Sequence, residues 1–277
     1  MKKLSLTILL LLTLLPAGAC GNNNNTAPAA TAAPTEKAAA PAGQNSLEAV
    51  KASGKLRIGT EGTYAPFTFH DAEGKLTGFD VEIAKEITKR LGVEPEFIET
   101  QWDGLFAGMD AKRFDTIFNE VSITDERKVK YDFSEPYIVS KGALIVREDN
   151  QNITAFADLK GKKAGQSLTS NLSDIARENG AEIVAVDGFN QAIDLLTSGR
   201  IDATVNDGLS YLDLKKQKPD AKIKQVDETA EGSKSAAVFL KGNEELVNAV
   251  SDALAEMKSD GTYLKISEKY FGADVSK

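Results

Sequence analysis

The sequence predicts an α/β protein made of two successive α/β units with a cleft between them. Short β-rich runs alternate with patterns of helical spacing, and this alternation restarts after Tyr137. Strands that alternate with helices indicate βαβ units and a mostly parallel sheet. The 277 residues, of which 42% are apolar, suffice for a packed core and for about two domains.

The first unit begins with an apolar run at residues 56–59 that is typical of a strand. Apolar residues at near-helical spacing predict a helix over residues 80–91, which Gly92 ends. The unit continues with predicted strands over 94–99 and 115–119, separated by a helix over 102–111.

After Tyr137 the same alternation continues to the end of the chain. Open α/β sheets bind ligands beyond the carboxyl ends of their strands, so we expect the functional residues there. Strands are predicted over residues 143–146, 162–165, 182–186, 201–205 and 236–240, and helices over 169–179, 189–197, 208–216 and 244–258.

The first nineteen residues are typical of a secretory signal peptide. Lys2 and Lys3 precede an apolar run over residues 4–15, and small residues follow it. Twelve helical residues span about 18 Å, which is too short for a bilayer core of about 30 Å. We therefore expect an exported protein, and the absence of any later run of 18 apolar residues predicts no membrane-spanning helix.

Cys20 follows the small residues directly. In this respect the segment resembles the signal peptides of bacterial lipoproteins. That resemblance implies that Cys20 carries lipid, palmitate included, and anchors the mature chain to the cell membrane. Residues 17–19 also fit an ordinary signal-peptidase site, and a secreted protein with a free thiol is the alternative. Residues 20–45 contain no aromatic or large aliphatic side chain, which predicts a disordered tether before a body over residues 46–277.

Charge and residue counts exclude several functional classes. A formal net charge of −8 argues against a nucleic-acid partner, because phosphate attraction requires a positive surface. One cysteine and one histidine exclude an internal disulfide and remove most zinc sites and most histidine-dependent catalysis. We expect no cofactor, no metal and no catalytic residue.

Three ordered motifs resemble those of the extracellular solute-binding proteins, family 3, of polar-amino-acid ABC transporters. They occupy residues 59–67, 78–83 and 122–137. Within that family, residues 119–124, residues 199–203 and the tail from Gly242 onward are most similar to cystine-binding members.

The resemblance implies a two-lobed fold of the periplasmic-binding-protein type (type II). Lobe 1 is expected over residues 46–140 with 236–277, and lobe 2 over 141–235. The implied function is the substrate-binding component of an ABC importer that closes on a free L-amino acid, with L-cystine as the favoured ligand. A permease, its ATPase and a monomeric state are implied as well. Glutamine or another polar amino acid, a dehydratase-like enzyme and a ligand sensor on the same fold remain alternatives.

A free amino acid presents a carboxylate and an ammonium group, and burying both requires partners for both. By the resemblance, Arg127 binds the carboxylate with its planar fork, and a surface ion pair with a neighbouring acid is the alternative. Ser170 donates to the same carboxylate from a helix start. Asp207 and Glu61 face the ammonium group.

The resemblance implies further contacts along the ligand. Tyr64 and Trp102 flank its aliphatic part, and Ser122 with the backbone near Asn119 and Glu120 completes the polar contacts. The distal end of a long polar ligand is expected to meet Gln166, Asn171 and Asn206.

Overall fold

The structure, a computed structural model, describes residues 46–277. The predicted signal peptide, the tether and Cys20 lie outside the described residues. Within 46–277, every helix falls short of the length and hydrophobicity that a bilayer crossing requires.

Residues 46–277 form fifteen strands, nine α-helices and a 3-10 turn over Phe156–Leu159. The strands are β1 (Lys55–Thr60), β2 (Thr63–Tyr64), β3 (Thr68–His70), β4 (Leu76–Thr77), β5 (Glu94–Glu99), β6 (Thr116–Ile117), β7 (Tyr131–Phe133), β8 (Ile138–Ser140), β9 (Gly142–Arg147), β10 (Lys163–Gln166), β11 (Glu182–Ala185), β12 (Ala203–Asp207), β13 (Ile223–Glu228), β14 (Ser233–Ser235) and β15 (Val238–Leu240). The helices are α1 (Ser46–Ser53), α2 (Phe79–Leu91), α3 (Trp102–Asp110), α4 (Asp125–Lys130), α5 (Asn171–Glu178), α6 (Phe189–Thr197), α7 (Gly208–Gln217), α8 (Glu244–Ser259) and α9 (Thr262–Phe271).

Two five-stranded sheets have the same plan. The first has the order β5-β1-β6-β15-β7, and the second has the order β11-β10-β12-β9-β13. In each sheet the first three strands are parallel, and the fourth runs antiparallel to both of its neighbours. The two α/β units predicted from the sequence are therefore present, each with one reversed strand.

The chain passes between the two sheets twice. It leaves the first through β8 and returns through β14, and these two strands pair antiparallel with Ser140 opposite Ser233 and Ile138 opposite Ser235. We call this pair the crossing ribbon. A short sheet of β2, β3 and β4 packs beside the first half of the molecule.

Helix α2 shows how the sequence fixes the core of the first half. Its apolar residues recur at helical spacing and are buried, and Gly92 ends the helix in the left-handed conformation with φ 72°. Phe79, at the start of α2, packs edge-on against Tyr263 and Phe271 of the last helix. The first and last segments of the described chain therefore share one core.

Every element predicted from the sequence recurs, with shifts at two ends that matter for the site. The helix predicted over residues 169–179 begins at Asn171, because the Ser170 hydroxyl accepts the Leu172 N–H and caps the helix. The strand predicted over 201–205 lies two residues later, so Asp207 is its last residue and also caps α7.

Several elements were not predicted, and two of them, β13 and α4, lack a clear sequence pattern. Strand β13 at the edge of the second sheet is mostly polar, and a half-exposed edge strand needs no apolar run. Helix α4 has six residues, of which five are charged, so helical periodicity cannot show in it.

Candidate ligand-binding site

A cavity lies between the two halves, at the carboxyl ends of the parallel strands of both sheets. Glu61 follows β1, Trp102 follows β5 and Glu120 follows β6, while Ser167 follows β10 and Asn206 lies at the end of β12. The space between these walls, its mouth included, amounts to about 430 Å³. This is where an α/β sheet is expected to bind a ligand.

Arg127 is buried beside this cavity and is 8% exposed. The Thr124 hydroxyl caps α4 by accepting the Arg127 N–H at 3.2 Å, and the guanidinium lies over the rings of Trp102 and Phe106 at 5.3 and 5.1 Å. Asp125 pairs with Lys128 at 3.0 Å. Burial lowers the pKa of Arg127 to about 10, which leaves it cationic at neutral pH.

The Arg127 guanidinium also joins the two halves. It donates to the Ser122 carbonyl at 2.9 Å within the first half, and to Asn171 Oδ1 at 3.3 Å and the Thr169 carbonyl at 3.4 Å in the second. Asn171 in turn donates to the Ser122 hydroxyl at 3.3 Å. The contacts across the cleft are longer than the one within the first half, so a carboxylate entering the cleft can replace them.

Glu61 is a buried carboxylate held by reciprocal hydrogen bonds with one amide side chain. Asn119 Nδ2 donates to Glu61 Oε2 at 2.6 Å, and the Glu61 N–H donates to Asn119 Oδ1 at 2.7 Å. Burial raises the pKa of Glu61 to about 7, and the hydrogen bond from Asn119 opposes this shift.

Asp207 is buried on the other side of the cleft. One carboxylate oxygen accepts the Leu209 N–H at 2.8 Å as the cap of α7, and the other accepts the Ser140 hydroxyl of the crossing ribbon. Burial raises the pKa of Asp207 to about 6.

Glu120 contributes a third carboxylate, whereas sequence reasoning assigned only its backbone. Its φ of 51° is in the left-handed region, and its N–H donates to the buried carboxylate of Asp80 at 2.5 Å. Its own carboxylate accepts the Ser235 hydroxyl at 2.8 Å. Burial, followed by the charge of Asp207, raises the pKa of Glu120 well above its usual range.

The aromatic and amide side chains complete the site. The Tyr64 hydroxyl donates to Asn206 Oδ1 at 2.8 Å and so spans the cleft. Trp102 Nε1 and Gln166 Nε2 are buried donors without an acceptor among the residues that the structure describes. A ligand with acceptor atoms would satisfy both.

Most of the predicted site residues line the cavity. The other four lie behind the lining residues and are hydrogen-bonded to them or adjacent to them in sequence. They are Asn119, Arg127, Gln166 and Asp207. The lining members are Glu61, Tyr64, Trp102, Glu120, Ser122, Ser170, Asn171 and Asn206.

Sequence reasoning missed several residues of the cleft. Ser167, Leu172, Gly188 and Phe189 also line it. Gly188 and Phe189 begin α6 just past the end of β11, and that position at the carboxyl end of a predicted strand was the available signal. Asp103 was missed as well: it accepts Leu168 N–H at 3.1 Å and Thr169 N–H at 2.9 Å across the cleft.

The molecule has two paired sheets, two chain crossings and a polar cleft in which carboxylates surround one arginine. These features define a protein that encloses a small charged solute. The chain belongs to the bacterial extracellular solute-binding proteins, family 3, whose model matches residues 56–273. It is 43% identical to the L-cystine-binding protein TcyA of Bacillus subtilis, over all of both chains.

Two solved structures extend the comparison. The L-cystine solute receptor of Neisseria gonorrhoeae, in an unliganded open conformation, is 45% identical with a TM-score of 0.56, and the match covers 83% of this chain and 98% of that one. An ancestral arginine-binding protein bound to arginine is 42% identical with a TM-score of 0.75, over 79% and 98%. This structure is therefore more similar in shape to the ligand-bound neighbour.

The buried carboxylates predict how stability changes with pH. The pKa of Asp80 is raised to about 7 by burial, so between about pH 4 and pH 7 the folded protein holds a proton that the unfolded chain has lost. Stability from this group is complete below that window and decreases as the pH rises through it. We expect Asp80→Asn to gain stability relative to the parent protein by about 2–4 kcal/mol between pH 4.5 and pH 8. Urea unfolding at both pH values measures this, and an equal difference at the two would contradict it.

Proposed function

We propose that this protein is the substrate-binding component of an amino-acid ABC importer, and that it encloses a free L-amino acid between two lobes. One observation carries the proposal: a buried guanidinium and buried carboxylates from both halves lie in the walls of one cavity or directly behind them. An amino acid supplies the two opposite charges that such a site requires. Binding to that cavity is the property to test first.

The carboxylate end of the ligand is assigned to Arg127 and Ser170. Arg127 already reaches across the cleft through weak contacts to Asn171 and Thr169, and a ligand carboxylate offers a charge-assisted replacement. Ser170 caps α5, whose first backbone N–H groups favour an anion. Both residues then hold the same group from opposite halves.

The ammonium end is assigned to Asp207 and Glu61. Both carboxylates are buried, they come from different halves, and each already has hydrogen bonds that fix its orientation. An ammonium group has three donors and takes acceptors from both sides. Ligand contact with both halves is what closes such a protein.

L-cystine is the proposed ligand because the cleft holds buried donors without acceptors. Trp102 Nε1 and Gln166 Nε2 lack acceptors among the described residues, and cystine brings a second carboxylate. The two cystine-binding proteins named above are among the similar proteins.

Arginine is the second candidate, because two carboxylates, Glu61 and Glu120, line the cavity and would suit a cationic side chain.

We propose lobe 1 over residues 46–140 with 236–277, and lobe 2 over residues 141–235. The strands of the first sheet fall within the first range and those of the second sheet within the second. The crossing ribbon is then the hinge.

We further propose that the protein binds its ligand without turnover, as a solute-binding family suggests. We also propose that it is a monomer, and that the permease and its ATPase partner recognise its closed form.

Anchoring through a lipid on Cys20 is proposed from the sequence. The anchor and the tether of residues 20–45 would keep the binding body at the outer face of the cell membrane. We expect Cys20→Ala to abolish lipid attachment without changing ligand affinity, since Cys20 lies far along the sequence from every residue assigned to the site. Metabolic labelling with a radioactive fatty acid tests this, with Cys20→Ser as a second variant. A parent protein that takes up no label would exclude the anchor.

Arg127→Ala should remove the main partner of the ligand carboxylate. The expected cost is about 2–5 kcal/mol, or about 30-fold or more in affinity. Titration calorimetry gives the affinity, and circular dichroism checks that the fold is unchanged. Lys128→Ala on the exposed side of the same helix is the matched control and should bind like the parent protein. An Arg127→Ala affinity within threefold of the parent would remove Arg127 from the site.

L-cystine should bind at least about tenfold more tightly than arginine, glutamine or histidine. Ligands that cannot place an acceptor against both the Trp102 and the Gln166 donor leave one or both unpaired, at about 1–3 kcal/mol each. Calorimetry with cystine, repeated after a reductant converts it to cysteine, should show a large loss of affinity. Equal affinities for cystine and cysteine, or tighter binding of arginine, would overturn the choice of ligand but not amino-acid binding.

A further inference from the structure

Two carboxylates from different halves of the molecule meet at the crossing ribbon. Ser140 of β8 donates to Asp207, and Ser235 of β14 donates to Glu120 at 2.8 Å. Ser235 is paired with Ile138, two residues from Ser140 on the same strand, so both serines project from one face of the ribbon as diagonal neighbours. Such neighbours lie about 7–8 Å apart or closer, so their hydroxyls hold the two carboxylates near each other.

The charge of Arg127 favours the ionised form of Glu120, but neither carboxylate of the pair is held in an ion pair within residues 46–277. Among residues 46–277, no ion pair includes Glu120 or Asp207, and Arg127 directs its guanidinium to Ser122, Asn171 and Thr169. The Coulomb repulsion between two buried carboxylates is severe, because the surroundings screen it poorly. The titratable and charged groups that face the pair are Asp80 of α2, Glu61 after β1, Tyr64 of β2, Arg127 of α4 and Tyr137 before β8.

We propose that Glu120 and Asp207 form a charge lock on lobe closure: the lobes close only when positive charge lies at the pair, from a ligand ammonium group or from protons. This proposal rests on the proposed function and adds Glu120 to the residues that select the ligand. An ammonium group that enters a protonated pair converts the carboxyl to a carboxylate and releases its proton to water. A ligand without an ammonium group cannot do this.

The lock makes closure of the ligand-free protein depend on pH. Separated lobes leave each acid in water, with its ordinary pKa near 4. Closing buries both, and burial raises the pKa of Asp207 to about 6 and that of Glu120 well above its usual range. Closure therefore takes up protons. It is favoured in acid and is opposed as the pH rises through about 6, by up to about tenfold in the closure equilibrium per pH unit for each proton taken up.

Trp102 provides a native reporter of closure, because it is the one tryptophan in the sequence and it lines the cleft. We would measure acrylamide quenching of its fluorescence in the full chain without ligand, at pH 8 and pH 5. The Stern–Volmer constant should fall about twofold or more at pH 5, and equally on saturation with cystine at pH 8. The radius of gyration from X-ray scattering should decrease in both cases, while circular dichroism stays constant.

Glu120→Gln tests the residues themselves. Without one negative charge, the ligand-free variant should show a lower quenching constant than the parent protein at pH 8, and a smaller further fall at pH 5 because only Asp207 still takes up a proton. Asp207→Asn should do the same if Glu120→Gln does not fold. Glu178→Gln, at an exposed site on α5, is the matched control and should retain the full pH response.

The outcomes separate this inference from the proposed function. Quenching that cystine lowers but acid does not would overturn the charge lock and leave amino-acid binding intact. Quenching that acid lowers but no amino acid changes would support the lock while removing the proposed function. A Glu120→Gln variant with the pH response of the parent protein would exclude Glu120 from the lock.

Discussion

A charge moved out of water must find an opposite charge or hydrogen-bond partners, and this requirement governs the cleft. Glu61, Glu120 and Asp207 are all buried where the halves meet, and Arg127 is the cation beside them. Each carboxylate has a neutral donor that fixes its position: Asn119, Ser235 or Ser140. Neutral donors orient the acids but do not neutralise them. In the proposed function, the ammonium group of the ligand supplies the positive charge that these acids require.

The two sheets bring these acids together from distant parts of the sequence. Parallel strands deliver their carboxyl ends to one edge, and each half places that edge at the cleft. Glu61 follows β1 and Glu120 follows β6, neighbours in the first sheet, while Asp207 ends β12 in the second. The fold and the binding site thus have a common origin in the order of the strands.

The sequence was sufficient to predict the alternating elements, because buried strands and amphipathic helices leave strong patterns. It was also sufficient to place Glu61 and Asp207 at strand ends, whereas Trp102 and Asn206 were assigned through the family resemblance. The carboxylate role of Glu120 was not predictable, since its side chain is placed by a left-handed backbone and by Ser235, 115 residues away. Asp103 was missed for a similar reason: its partners Leu168 and Thr169 lie in the opposite half, and contacts across a cleft leave no periodic pattern.

The same serines connect ligand recognition to movement. Ser140 and Ser235 belong to the strands through which the chain crosses between its sheets, so a rotation at the ribbon moves the donors of Asp207 and Glu120 together with the backbone. A hinge elsewhere would allow the lobes to move while the acids kept their partners. Here Asp207 and Glu120, the proposed charge lock, are hydrogen-bonded to the strands proposed as the hinge. If the ribbon is the hinge, as proposed, charge at the pair and the angle between the lobes are coupled, and a ligand that changes the first also shifts the second.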